Sequence, residues 1–323
     1  MRRTLTTVAL TAATAAVGAC GSAAVGELPP AAHPARSPAP AAAPAGRVVR
    51  VGAHPEGLGA DPLTHRFVVS ERAPDQLRFV DARRGTTVGR APILAPARPR
   101  GIEAFNNVFV LPGDSVLVAP RPAIAATVIG GRIFVADARG GTIAVSERGR
   151  PNRRLRVAAE PSGLSPAAGG RLLAVVSSRE RVLELYDPRT LARVARVDAG
   201  VGPTHIAAEA DRLYVTDTTG GALLVFQLRP RLHLDRRVDL PGAPYGLTVD
   251  PVRHRLWVTL TARNELVSLV ANGRPRPVLR LPTVRQPDAV AVDSALGTVA
   301  ITGISAGVLQ LIGAGEAYPQ HGG

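Results

Sequence analysis

The sequence predicts an all-β fold: a β-propeller of six blades, with seven the alternative, in which the N-terminal strand closes the last blade. Three observations predict it. A proline-headed tetrad recurs six times, and four of its five intervals lie near 42 residues, the length of one four-stranded blade. Short apolar, β-branched runs separated by polar turns follow the tetrads. A strand-like run precedes the first tetrad, while the last unit stops one strand short. Composition agrees, since 33 Gly and 29 Pro favour many turns, and with 3% aromatics the core falls to Val, Leu, Ile and Ala.

The chain opens on Arg2 and Arg3, followed by an Ala/Thr-rich apolar stretch from Leu5 to Val17. That stretch is too short for a membrane span and suits a signal peptide over residues 1–19. It ends in Val17-Gly18-Ala19-Cys20, which resembles a bacterial lipobox. The resemblance implies lipidation of Cys20, the only cysteine, and an extracytoplasmic position on the outer face of the cell membrane. Residues 21–46 hold ten Ala and six Pro. Such a stretch cannot bury a core, so residues 20–46 are predicted to form a disordered tether reaching about 80 Å. The propeller is expected over 47–315 and a flexible tail over 316–323.

The tetrad has the form Pro-x-(Gly/His/Ala)-(Leu/Ile/Val). Its copies start at Pro55, Pro99, Pro161, Pro203, Pro244 and Pro287, at intervals of 44, 62, 42, 41 and 43 residues. A second strand follows, as in Arg66-Phe67-Val68-Val69-Ser70, Arg212-Leu213-Tyr214-Val215-Thr216 and Arg255-Leu256-Trp257-Val258-Thr259. In the second unit Arg132-Ile133-Phe134-Val135-Ala136 takes this part. A third run, such as Leu223 to Phe226, and a fourth, such as Arg193 to Val197, complete the unit. Arg47-Val48-Val49-Arg50-Val51 resembles a fourth strand, and the last unit ends with its third, Val308 to Ile312. Joining the two removes the exposed edges.

Tyr214-Val215-Thr216-Asp217 resembles the naming motif of the YVTN-type β-propeller repeat family, and Trp257-Val258-Thr259 is a weaker copy. The resemblance covers residues 47–312 and implies the fold more than a function. The 62-residue interval carries about 20 extra residues near 105–125. There Val108 to Leu111 and Ser115 to Val118 flank Pro112-Gly113-Asp114 as a hairpin. An inserted hairpin on one propeller face is the favoured reading and a degenerate seventh blade the other.

The formal charge is +14, and all 39 basic residues are arginine. The arginines are spread along the chain and lack interleaved stacking aromatics, which argues against nucleic-acid binding. The composition is that of a GC-rich genome, and the charge permits adhesion to an anionic envelope polymer or lipid headgroup.

In a propeller the tetrads lie where the chain enters the innermost strand, beside the central channel. The variable second residue then faces the channel mouth. This singles out Glu56, Arg100, Ser162, Thr204, Tyr245 and Asp288, with His205 adjacent, as a ligand-facing ring. Glu56, Asp288 and His205 could offer ligands to Ca²⁺ or another divalent ion, with Asn264 and Glu71 as recruits. That would resemble a metal-dependent lactonase of the gluconolactonase type. The Trp-Phe-Thr-Glu pattern of streptogramin-lyase-like propellers is absent. No nucleophile elbow or phosphate loop occurs, and Asp137, Asp217 and Glu71 follow second strands, where acidic residues cap turns. The expected function is a monomeric, non-catalytic binding scaffold for an envelope protein, a glycan or a small molecule. The alternative is a lactonase or other hydrolase.

Overall fold

A computed structural model describes residues 30–92, 103–105, 108–110, 116–118, 123–137, 140–147 and 152–319. The signal peptide, Cys20, Arg100 and the last four residues lie outside them. Strand β1 (Arg47–Arg50) comes first. Blade 1 is β2 (Pro55–Asp61), β3 (Arg66–Glu71), β4 (Gln76–Asp81) and β5 (Thr87–Pro92). A three-stranded sheet follows: β6 (Glu103–Phe105), β7 (Val108–Val110) and β8 (Val116–Val118). Blade 2 is β9 (Ala123–Ile129), β10 (Arg132–Asp137), β11 (Thr142–Glu147) and β12 (Arg153–Arg156). Blade 3 is β13 (Pro161–Ala167), β14 (Leu172–Ser177), β15 (Val182–Tyr186) and β16 (Arg193–Asp198). Blade 4 is β17 (Pro203–Glu209), β18 (Arg212–Asp217), β19 (Ala222–Gln227) and β20 (His233–Asp239). Blade 5 is β21 (Pro244–Asp250), β22 (Arg255–Leu260), β23 (Glu265–Val270) and β24 (Pro277–Pro282). Blade 6 is β25 (Pro287–Asp293), β26 (Thr298–Gly303), β27 (Val308–Ile312) and, as its outer strand, β1.

The protein is thus a six-bladed β-propeller closed by its own N-terminal strand. β1 pairs antiparallel with β27, Arg47 opposite Leu311 and Arg50 opposite Val308. The second and third strands of each blade are buried on both faces because sheets stack on both sides of them. β18 (RLYVTD) is buried at five of its six positions, whereas the outer strand β16 (RVARVD) alternates between exposed and half-buried residues. This explains why apolar runs mark the middle strands and arginine marks the outer ones. The core is divided into clusters between neighbouring blades. Leu213, Val215, Leu224 and Phe226 of blade 4 pack with Ala174, Val176, Leu183 and Leu185 of blade 3. Trp257 and Leu266 of blade 5 pack with Val290, Val299 and Ile301 of blade 6.

Four expectations need correcting. The inner strand of blade 2 starts at Ala123, not at the tetrad of Pro99. Ala123 opposes Asp137 as Pro203 opposes Asp217, so blade 2 has a tetrad without its own proline. The segment headed by Pro99 instead leads into the three-stranded sheet. Second, β7 and β8 do pair as the expected hairpin, but β8 lies against β2 and β3 on one side and β9 on the other. The sheet is wedged between blades 1 and 2 rather than laid on a face. Third, residues 316–318 of the expected tail are docked through helix α1 (Ala314–Ala317) and Tyr318. The Tyr318 ring meets Trp257 edge-on at 5.5 Å, and its hydroxyl takes the Trp257 indole N–H at 3.2 Å and donates to Asp250 at 2.5 Å. A buried indole needs such an acceptor. Fourth, the second half of the predicted tether lies on the propeller. Ser37 is 3% exposed, and residues 35–38 are bonded to blades 5 and 6. Extended proline-rich chain loses little entropy on docking, so composition alone did not forbid it. Among the described residues no helix is long and apolar enough to cross a membrane.

Candidate functional site

Each proline-headed tetrad of the described blades begins an inner strand and forms a β-bulge. The register shifts between Pro55 and Gly57, Pro161 and Gly163, Pro203 and Ile206, Pro244 and Leu247, and Pro287 and Val290. Proline at the first strand residue removes no needed ladder donor. The bulge leaves the next residue unpaired and re-aims it. Four freed N–H groups are taken up by hydroxyls of the second strand. Gly57 donates to Ser70 Oγ at 2.8 Å, His205 to Thr216 Oγ1 at 3.1 Å, Gly246 to Thr259 Oγ1 at 2.9 Å and Ala289 to Thr302 Oγ1 at 3.2 Å. The Ser/Thr that closes the second-strand motif therefore pins the bulge. The third tetrad residue is small because the next blade passes against it. A Cβ on Gly163 would sit 2.9 Å from Ile206 Cγ2, and one on Gly246 would overlap the Asp288 carbonyl.

In blade 4 that small residue is replaced by His205, the first of an arc of tetrad residues on blades 4, 5, 6 and 1. The His205 ring meets Tyr245 of blade 5 edge-on, with centroids 4.6 Å apart at 75°. Burial pushes the Tyr245 hydroxyl well above the usual phenol range, and the Asp288 charge adds to this. Burial also pushes the Asp288 carboxyl up to about 6; a bond from Gln286 Nε2 at 3.2 Å draws it back, and the Glu56 charge raises it further. Glu56 in turn accepts from Arg72 Nη2 at 2.7 Å. Burial holds the His205 imidazole down at about 4, and its Nδ1 has no hydrogen-bond partner. The arc therefore combines an imidazole that burial keeps uncharged at neutral pH, a phenol and two acidic side chains, drawn from blades 4, 5, 6 and 1.

The remaining expected ring residues sit differently. Ser162 is half-buried, its hydroxyl aimed at the Val176 carbonyl at 3.5 Å. Thr204 is 3% exposed and does not face a mouth: its hydroxyl joins those of Thr216 at 3.0 Å and Thr218 at 2.8 Å. The blade 4 bulge takes in two residues, and the second, His205, is the one aimed at Tyr245. Glu71 and Asn264 are engaged elsewhere. Glu71 bonds Arg78 and Gln76, and Asn264 holds the N-terminal arm. Asp217 caps its turn, accepting from the N–H groups of Gly202 at 2.7 Å and Gly220 at 2.9 Å. Among the described residues no three His, Cys, Asp or Glu side chains come together as a metal site. Sequence reasoning missed Gln286, one residue before its tetrad, which links Asp288 to the arm.

The carboxyl of Asp288 gives the arc a measurable signature. The native group takes its proton near 6, the unfolded one near 3.9. Between these values the native state binds more protons, so this group's contribution to stability falls as pH rises. Asp288→Asn removes it. The variant's stability relative to wild type is expected to be about 2 kcal/mol more favourable at pH 7.5 than at pH 4.5, read from urea unfolding at both pH values. An equal difference at the two would contradict the buried carboxyl. A carboxylate kept where it costs stability is more often part of a site than of a core.

No protein-family model matches the sequence, and no curated protein matches it. Solved structures do. A streptogramin B lyase superposes with a TM-score of 0.64 over 82% of this chain and 97% of its own, at 10% identity. The β-propeller domain of Cps50 (Swd1) from Myceliophteria thermophila gives 0.64 over 83% and 99%, at 11% identity. A chain of the mitotic checkpoint complex gives 0.65 over 87% and 98%, at 12% identity. At these identities the likeness is one of fold, and that fold serves both a lyase and a chain of a multiprotein complex.

Proposed function

We propose that this protein is a binding scaffold, a rigid propeller held at the outer face of the cell membrane by lipidated Cys20, which takes its ligand at the His205–Tyr245–Asp288–Glu56 arc. The arc is the observation that carries this reading: four polar side chains from four blades stand where the inner strands begin, His205 and Tyr245 in edge-on ring contact and Asp288 mostly buried with its carboxyl pushed up by that burial. An aromatic, a neutral imidazole and two carboxylates suit a ligand with a flat apolar face and hydrogen-bond donors, presented by an envelope protein, a glycan or a small molecule. The anchor rests on the Val17-Gly18-Ala19-Cys20 lipobox. The arm of residues 30–46 lies on the tetrad side of the ring. The mouth would therefore face the anchor.

Two measurements test this. Intact mass of membrane-extracted protein is expected to show residues 1–19 removed and a diacylglyceryl group on Cys20, with Cys20→Ser released from the membrane fraction. On-cell crosslinking of the full chain is expected to capture a partner whose yield falls at least about fivefold in Tyr245→Ala, in line with the loss of one central aromatic contact. A yield unchanged by Tyr245→Ala would place binding elsewhere on the ring.

A further inference from the structure

Residues 30–46 lie along the tetrad side of the ring from blade 4 to blade 6. Ala32 approaches Gly202, and Ala45 donates its N–H to the Pro282 carbonyl at 3.0 Å. Between these points the segment Pro34-Ala35-Arg36-Ser37-Pro38 is held by three side chains. Thr261 Oγ1 accepts from the Ala35 N–H at 3.0 Å, and Gln286 Nε2 donates to the Ala35 carbonyl at 2.9 Å. Gln286 Oε1 accepts from the Ser37 N–H at 3.0 Å, and Asn264 Nδ2 donates to the Pro38 carbonyl at 3.0 Å. The Ser37 hydroxyl is also read on both sides. It donates to the Thr261 carbonyl at 2.5 Å and accepts from the Gln286 N–H at 3.1 Å.

This differs from ordinary packing of a terminus. Because Pro34 and Pro38 lack N–H groups, the segment has three donors, at 35, 36 and 37, and the two that share a face of an extended chain are both bonded. Arg36, between them, is exposed. Four of the six bonds go to main-chain atoms, and Ser37 is the one side chain read. Thr261 and Asn264 are buried beneath the segment, and each is also held by the ring itself: Thr261 Oγ1 donates to the Ala243 carbonyl at 3.1 Å and Asn264 Oδ1 accepts from the Gln286 N–H at 3.2 Å, which fixes their remaining hydrogen-bonding atoms towards the segment. Such groups are arranged for an extended peptide backbone with a serine followed by a proline. Proline on either side lowers the entropy lost on docking.

We propose that Thr261, Asn264 and Gln286 form a peptide-binding clamp for an extended Ser-Pro segment, filled by this chain's own residues 35–38 and able to receive a segment of the same chemistry from a partner when those residues are withdrawn. The clamp is separate from the arc proposed above, though Gln286 touches both.

The test uses the full chain with its own segment disabled by Ala35→Pro and Ser37→Pro, which remove both bonded N–H groups. A labelled synthetic peptide of residues 31–41 is titrated by fluorescence anisotropy. It is expected to bind the disabled chain at least about tenfold more tightly than the wild-type chain, whose clamp is filled. Adding Asn264→Ala and Gln286→Ala to the disabled chain is expected to weaken binding at least about tenfold, since each lost hydrogen bond is worth about 1 kcal/mol. No binding to a disabled chain with wild-type circular dichroism and melting would overturn the proposal, as would binding indifferent to the clamp substitutions. Should the disabled chain fail to fold, hydrogen exchange on the wild type decides. The Ala35 and Ser37 amides are expected to exchange far more slowly than Arg36, with Ser37 released in Gln286→Ala; equal rates at all three would overturn the clamp.

Discussion

A chain beginning at residue 51 is expected to lose the cooperative unfolding that a chain beginning at residue 45 retains. The shorter chain lacks β1, whose four residues pair with β27. Val49 packs against the cluster of Val51, Leu309 and Leu311 that joins blade 6 to blade 1. Partial burial of one valine and about four ladder hydrogen bonds together amount to about 4 kcal/mol, a large share of the 5–15 kcal/mol typical of a domain. The loss also uncovers the edge of β27, an apolar strand free to pair with another molecule. Aggregation is therefore expected along with a lower urea midpoint. A milder version is Gly46→Ala. Gly46 has φ of +67°, and a Cβ there would overlap the Leu311 carbonyl. If the chain from residue 51 unfolds with the midpoint and slope of the chain from residue 45, β1 does not close the ring.

Glu71→Ala is expected to cost about 3–5 kcal/mol. The Glu71 and Arg78 side chains are 2% and 8% exposed and form a two-point ion pair, Arg78 Nε to Oε1 and Arg78 Nη2 to Oε2 at 3.1 Å. Gln76 Nε2 donates to the same carboxylate at 2.6 Å. Removing the carboxylate leaves a guanidinium in the interior with Thr87 Oγ1, at 3.3 Å, as its remaining bonded neighbour. The double change Glu71→Leu with Arg78→Met removes both charges and is expected to recover most of the loss. Urea unfolding of the three variants checks this. A double variant less stable than Glu71→Ala would mean the pair itself stabilises the blade.

Much of the fold was legible because a propeller writes its period into the chain. Five of the six tetrads fall on the first residue of an inner strand, and the closing strand was visible in Arg47 to Val51. Blade 2 was hidden because its inner strand starts at Ala123 without a proline, while the Pro99 tetrad mimics one. The arc was half legible. Glu56, Tyr245 and Asp288, with His205 adjacent, were marked by the tetrad, but the tetrad as a bulge was not, nor was the role of Thr216 and Thr259 in pinning it. The arm was illegible for a different reason. Its partners Thr261, Asn264 and Gln286 stand more than 220 residues away, and no local pattern marks a side chain that reads a distant backbone. Composition saw only an Ala/Pro stretch with nothing to bury.

The proposed function requires that ligand meet the ring at Tyr245. A photo-crosslinking residue placed at position 245 of the full chain tests it in the cell of origin, beside one at Val194, 59% exposed on the outer strand of blade 3. A discrete adduct is expected from position 245, absent from position 194 and reduced by Asp288→Asn. The same adducts from both positions, or none from 245 with one from 194, would contradict it.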